Sequence, residues 1–235
     1  LLVNGFPLTV NQFLYPKISY DAKKDLAPLI LGGDTPNVLL VREDSPFKTL
    51  KDFVDYAKAN PGKLNYAASG SGTSQALSME YLKSVAGIFV TQINYKGSAP
   101  MVADLLGGQI TMNFDTLPPN LQQIRQGGLK ALAISTPKRL PLLPNVPTFA
   151  EAGYPNTEMY FYLGLTAPKG TPKAIIDQIA RDTRKVLSDQ TFVEKTLDVF
   201  GFDPISETPE QFAEFLKRDR AMTEKKVRDA DVKLD

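Results

Sequence analysis

Between Thr49 and Leu132, short runs of β-forming residues alternate with segments whose apolar positions recur at helical spacing. That order predicts βαβ units around a parallel sheet. Thr49 caps a predicted helix with Asp52 at its third position. Leu50, Phe53, Val54 and Ala57 follow at i, i+3, i+4 and i+7, and Asn60-Pro61-Gly62 stops it. A strand from Leu64 to Ala68 leads into Ser69-Gly70-Ser71-Gly72-Thr73-Ser74. A helix opening there carries the stripe Leu77, Tyr81, Leu82 and Val85 and ends at Gly87. The strand Phe89 to Asn94 runs into Tyr95-Lys96-Gly97-Ser98. The next helix, near Pro100, is expected to bury Val102, Leu105 and Leu106 before Gly107-Gly108. Ile110 to Phe114 is strand-like and is followed by Asp115. A fourth helix ends at Gly127-Gly128, and Leu129 to Ser135 is the next strand.

Elsewhere the texture changes. A Pro-rich connection from Pro137 to Pro147 precedes a Thr148 to Glu151 capping box and an aromatic strand, Tyr160 to Leu165. Three helices follow. One begins at Thr171-Pro172 with Ile175, Ile176, Ile179, Val186 and Leu187; another carries Phe192, Val193, Leu197 and Phe200. The third opens on the capping box Thr208-Pro209-Glu210-Gln211, and its polar half from Lys217 to Lys233 reads as a solvated face. Leu1-Leu2-Val3-Asn4-Gly5 reads as the middle of a core strand and carries no signal-peptide pattern, so the natural N-terminus is expected to lie upstream.

Composition narrows the chemistry. The 235 residues are 43% hydrophobic, enough for a sizeable core in one large domain or two lobes. Lys plus Arg number 27 against 26 Asp plus Glu, which removes the electrostatic argument for nucleic acid or an anionic membrane. No stretch approaches the roughly 18 consecutive apolar residues of a membrane helix. Cys, His and Trp are absent, which closes the Ser-His-Asp triad, the thiol nucleophile and the usual zinc sites. No metal-ligand spacing is recognisable and no cofactor is implied.

In open α/β sheets, ligands bind beyond the carboxyl ends of the strands, where helix N-termini present free N–H groups. Three consecutive strand ends here deliver Ser69 to Ser74, Tyr95 to Ser98, and Asp115-Thr116. Gly-rich backbone donors, hydroxyls and the Lys96 ammonium suit a carboxylate or another small anion. The glycine loop has neither the spacer nor the Lys of a Walker motif, nor a dinucleotide fingerprint. Structural readings stand beside the functional ones. Gly70 and Gly72 suit a tight turn with Thr73 or Ser74 as helix cap, Lys96 a solvated loop, Asp115 a cap, and Tyr160, Phe161 and Tyr162 a packed strand.

The chain resembles the tripartite tricarboxylate transporter substrate-binding proteins, the Bug receptors. The resemblance is carried by Leu14-Tyr15-Pro16-Lys17, Tyr20-Asp21, Pro61 through Ala67, Ser69 through Ser74, Tyr95 through Pro100 and Asp104 through Gln109. It continues in Phe114-Asp115, Pro144 through Thr148 and Ala167 through Pro172. It implies a two-lobed, type II periplasmic-binding-protein-like α/β fold, each lobe a mostly parallel sheet flanked by helices. Residues 37–158 would form one lobe, and residues 1–36 and 159–235 the other, which lacks about two N-terminal βα units. The implied function is a non-enzymatic, periplasmic, usually monomeric receptor. It captures a small organic anion, a mono- or dicarboxylate, amino acid or aromatic acid, by lobe closure and delivers it to membrane permease subunits. By that resemblance the ligand-binding residues are Ser69, Gly70, Ser71, Gly72, Thr73 and Ser74, then Tyr95, Lys96, Gly97 and Asp115. Asn4, Gly5 and Phe6 fall on the lip of the first lobe. Ala76 stands where the family often has His, and Asn11-Gln12 where it often has Asn-Pro, which implies an altered pocket.

Three other readings compete. A sensory receptor read by a membrane kinase shares the fold. A hydrolase would use Ser69, Ser71 or Ser74 with Lys96 as base, or Asp115 as general acid or base, but no orienting third residue can be named. A purely structural or inhibitor module leaves the regular polar strand ends without a purpose.

Overall fold

In the computed structural model, which describes residues 2–157 and 159–232, the strands and helices follow in this order. They are β1 (Leu2–Gly5), α1 (Pro7–Leu14), α2 (Ala22–Asp25), β2 (Leu26–Arg42), α3 (Leu50–Ala59), β3 (Asn65–Ala68), α4 (Ser74–Ala86), β4 (Thr91–Asn94) and α5 (Ser98–Leu106). Then come β5 (Met112–Thr116), α6 (Leu121–Arg125), β6 (Leu129–Ile134), β7 (Tyr160–Pro168), α7 (Lys173–Leu187), α8 (Gln190–Phe192), β8 (Asp203–Pro204) and α9 (Pro209–Asp229). The chain divides into unit 1, residues 1–35 and 161–235, and unit 2, residues 36–160.

In unit 2 the strand order is β6-β2-β5-β3-β4. Parallel pairing joins β3 to β4 and to β5, as the βαβ pattern requires; β2 lies antiparallel to both β5 and β6. Period-two alternation divides the core. Leu39, Val41, Tyr66, Met112 and Phe114 face one cluster, under α3 and α4, while Val38, Leu40 and Ala67 face another, under α5 and α6. The Thr49–Asp52 capping box starts α3, whose Leu50, Phe53, Val54 and Ala57 are all buried. Gly87 ends α4 in the left-handed region at φ 63°.

Two predicted stripes are corrected. Val85, in the last turn of α4, is exposed, and the neighbouring Ala86 is buried. In α5, Met101 and Leu105, four apart, are buried and Leu106 is exposed. The Thr148–Glu151 box forms both of its hydrogen bonds but closes a turn, not a helix.

Unit 1 pairs β1 antiparallel to β7 and β8 antiparallel to β2. A Cβ at Gly5 would lie 2.3 Å from the Tyr162 carbonyl oxygen, so the strands approach closely only because that residue is glycine. Phe212 of α9 lies against Gly164 in the same way. The expectation of a core strand at the N-terminus is corrected, since Leu2 and Val3 are 49% and 63% exposed; Leu1 lies outside the described residues. Also corrected is the solvated second half of α9, which buries Asp219, Thr223, Lys226 and Val227; Lys233 lies outside the described residues. Its anchor is polar. Thr9 Oγ1 of α1 donates to Asp219 Oδ2 at 2.5 Å and lies 3.2 Å from the Tyr162 hydroxyl. Burial pushes the Asp219 carboxyl above its ordinary pKa, against the opposing pull of Thr9, Lys226 and Arg220. Among the described residues, no helix is long and apolar enough to cross a membrane.

Candidate functional site

The carboxyl ends of the parallel strands β3, β4 and β5 of unit 2 carry the polar clusters. After β3, Gly70 takes φ +125°, a conformation that disfavours any side chain, and the chain turns into α4. Thr73 is the helix cap. Its Oγ1 accepts from the Ala76 N–H at 3.3 Å and donates to the Gly70 carbonyl at 2.7 Å. Ser69 through Thr73 are half-buried and Ser74 is buried. Ser74 Oγ donates toward Asn37 Oδ1 and Gln75 Oε1, each at 3.4 Å, and Ser71 Oγ accepts from Gln92 Nε2 on β4 at 3.4 Å. Asn37 is itself fixed, its amide donating to the Met159 carbonyl and its backbone N–H to Ser135 Oγ.

After β4, Gly97 at φ 107° is the residue preceding α5, and the helix opens at Ser98. Lys96 is exposed and makes no ion pair among the described residues. The Tyr95 hydroxyl donates to Asp104 Oδ2 of α5 at 2.6 Å, and that bond, with some desolvation, pushes its pKa up to about 12. After β5, Asp115 is fully buried. Its Oδ1 accepts from Gln75 Nε2 at 3.3 Å, Ser98 Oγ at 3.0 Å and the Thr116 N–H at 2.8 Å; its Oδ2 accepts from Asn120 Nδ2 at 2.9 Å.

The structure thus brings Ser74, through Gln75, together with Asp115 and Ser98, while Ser71 is tied to β4. Asn4, Gly5 and Phe6 lie in unit 1. Phe6 is buried at the start of α1, Gly5 ends β1, and the Asn4 side chain lies outside the described residues. Reasoning from sequence missed Asn37, Gln75, Gln92 and Asn120, whose roles depend on pairings of residues distant along the chain. It also missed a cavity of about 480 Å³ within unit 1, walled by Leu8, Lys23, Leu26, Leu216 and Arg220. Chemically, the two helix starts and the glycine turn offer backbone donors and positive dipole ends to an anion. No group of three or more metal-ligating side chains exists among the described residues.

Known proteins resemble this chain in sequence and in fold. Residues 1–230 match the family described as "Tripartite tricarboxylate transporter family receptor". Protein BugT of Bordetella pertussis is 35% identical over 210 residues, 89% of this chain and 64% of that protein, so the chain spans less than two-thirds of this curated relative. The solved structure of Rpa4515 of R. palustris with adipate is 31% identical, with a TM-score of 0.91 over 99% of this chain and 78% of that one. MatC of Rhodopseudomonas palustris with bound malate is 28% identical, with a TM-score of 0.87 over 96% of this chain and 78% of that one. The α/β fold is that of these two-lobed periplasmic binding proteins, and the chain belongs to the tripartite tricarboxylate transporter receptor family.

Proposed function

We propose that this chain is the greater part of a periplasmic receptor that captures a small carboxylate without chemical turnover and passes it to a tripartite tricarboxylate transporter permease. The observation that carries this reading is the convergence of the Ser69–Ser74 turn and the starts of α4 and α5 on neighbouring ends of β3, β4 and β5. Structures of the same family are described with adipate and with malate. The backbone N–H groups of Gly70 to Thr73, the Ser69 and Ser71 hydroxyls, Gly97 and Lys96 hold the carboxylate, directly or through water. The hydroxyl partners favour binding over hydrolysis: those of Ser71 and Ser74 are amide groups of Gln92, Asn37 and Gln75, none of which serves as a general base.

The test is a thermal-shift screen of the longest natural chain against malate, succinate, adipate and benzoate. A ligand at about 100 times its Kd adds roughly 2.7 kcal/mol, a rise of several degrees for a protein of this size. A saturable rise with at least one acid supports the reading, and a flat response to all of them at millimolar concentration overturns it.

A further inference from the structure

Asp115 is the one residue of the candidate site whose carboxylate is spent on the protein itself. It is fully buried, and its two oxygens accept from four donors on separate pieces of unit 2. Gln75 lies in the first turn of α4, Ser98 at the first position of α5, the Thr116 N–H at the end of β5, and Asn120 just before α6. The elements that follow all three parallel strands are therefore pinned to a single side chain.

The direction of these bonds matters as much as their number. Asp115 only accepts, so it orients the Ser98 hydroxyl proton and the Gln75 Nε2 protons toward itself. With Nε2 so engaged, Gln75 turns Oε1 to Ser74 Oγ, and Ser74 reaches Asn37 of β2. A neutral residue at position 115 that lacked an acceptor would release Ser98 and Gln75 together. The helix starts would then lose their fixed spacing, and a carboxylate held by several backbone donors would lose alignment with all of them.

We infer that Asp115 is a positioning residue that locks the starts of α4 and α5 into an anion-binding arrangement and makes no contact with the ligand. This rests on the carboxylate-receptor reading above and assigns one residue of that site a role distinct from binding. A contact residue discriminates among ligands according to the group it touches. A positioning residue weakens them all by the same factor.

The experiment is calorimetric titration of the longest natural chain, as wild type, Asp115→Ala and Asp115→Asn, with malate, succinate and adipate, alongside melting temperatures. Asp115→Asn keeps one oxygen for Ser98, Gln75 and the Thr116 N–H and gives up only the bond from Asn120, whose Nδ2 is held in place by the Thr116 carbonyl. The expected result is a loss of affinity of about tenfold or more in Asp115→Ala, equal within about twofold for every acid that wild type binds, with substantial recovery in Asp115→Asn. Should Asp115→Ala fail to fold, Gln75→Met removes one spoke at nearly constant shape and is expected to weaken every such acid by the same smaller factor. Loss confined to one acid would make Asp115 a ligand contact and overturn the inference. Lowered melting temperature with unchanged affinity would make it merely structural and would equally overturn the inference. Absence of binding by wild type would instead overturn the receptor reading and this inference with it.

Discussion

Unit 2 closes its core on both faces of the sheet, whereas unit 1 leaves more of its large apolar side chains bare. In unit 2, α3 and α4 cover one face and α5 and α6 the other, and Phe53, Tyr66, Phe114 and Phe149 are all buried. Unit 1 buries Phe6, Val10, Leu29, Ile30, Leu31 and Phe212, yet exposes Leu2 and Val3 of β1 and Ile175 and Val186 of α7. Among the described residues of α7, only Ala180 is fully buried, although the helix carries a clear apolar stripe. The difference teaches which sheet is covered on both sides in this chain, which spans only part of its relatives' length. The candidate anion site is mounted on the unit whose sheet is covered by helices on both faces, as a preorganised site needs. Unit 1 relies instead on specific polar and close-approach contacts, such as Thr9 with Asp219 and Gly5 with Tyr162.

The largest expected effect lies in unit 2. Phe114→Ala would empty a fully buried position that packs edge-on against Phe149 at 5.6 Å, and should cost about 3–5 kcal/mol in denaturant unfolding. A cost below about 1 kcal/mol would break the claim that unit 2 carries the better core. In unit 1, Thr9→Val keeps the shape but removes the donor from the buried Asp219 carboxylate, with an expected loss of about 1–3 kcal/mol. The loss should be greater at pH 7.5 than at pH 4.5, because the bond favours the charged form of Asp219.

The smallest effect concerns Asp34, which sits directly opposite Asp203 in the β2–β8 pairing. Burial, reinforced by the Asp203 charge, raises its pKa to about 6. With the folded value above the unfolded one, its contribution is fully present below the unfolded value and is lost as pH rises through about 6. Asp34→Asn should therefore raise the melting temperature by about 2–4 °C at pH 7.5 and leave it nearly unchanged at pH 4, as read by calorimetry. Equal effects at both pH values would remove the charge repulsion from the account.

Much of unit 2 was legible in the sequence because its signals are local. The Thr49–Asp52 box, the stop at Asn60, the Gly87 terminator and the strands at β3, β5 and β6 need only neighbouring residues to be read. What failed was phase: Val85 and Leu106 satisfied a helical pattern, but only tertiary packing decides which flank of a stripe is covered. In α9, polarity concealed burial, since Asp219 is inside through a partner on α1, Thr9, more than 200 residues away. At the candidate site, the turn at Gly70 and the cap at Thr73 followed from residue type. The Asp115 hub did not, because Gln75, Ser98 and Asn120 meet it only through the order of the strands.

The most direct test of the central claim is an amide NMR titration of the isotopically labelled full-length protein with adipate or malate. The account predicts saturable shifts at the Gly70, Ser71, Gly72, Thr73 and Ser98 N–H groups at the concentration where calorimetry reports binding. Binding by calorimetry with those five amides unmoved would contradict it.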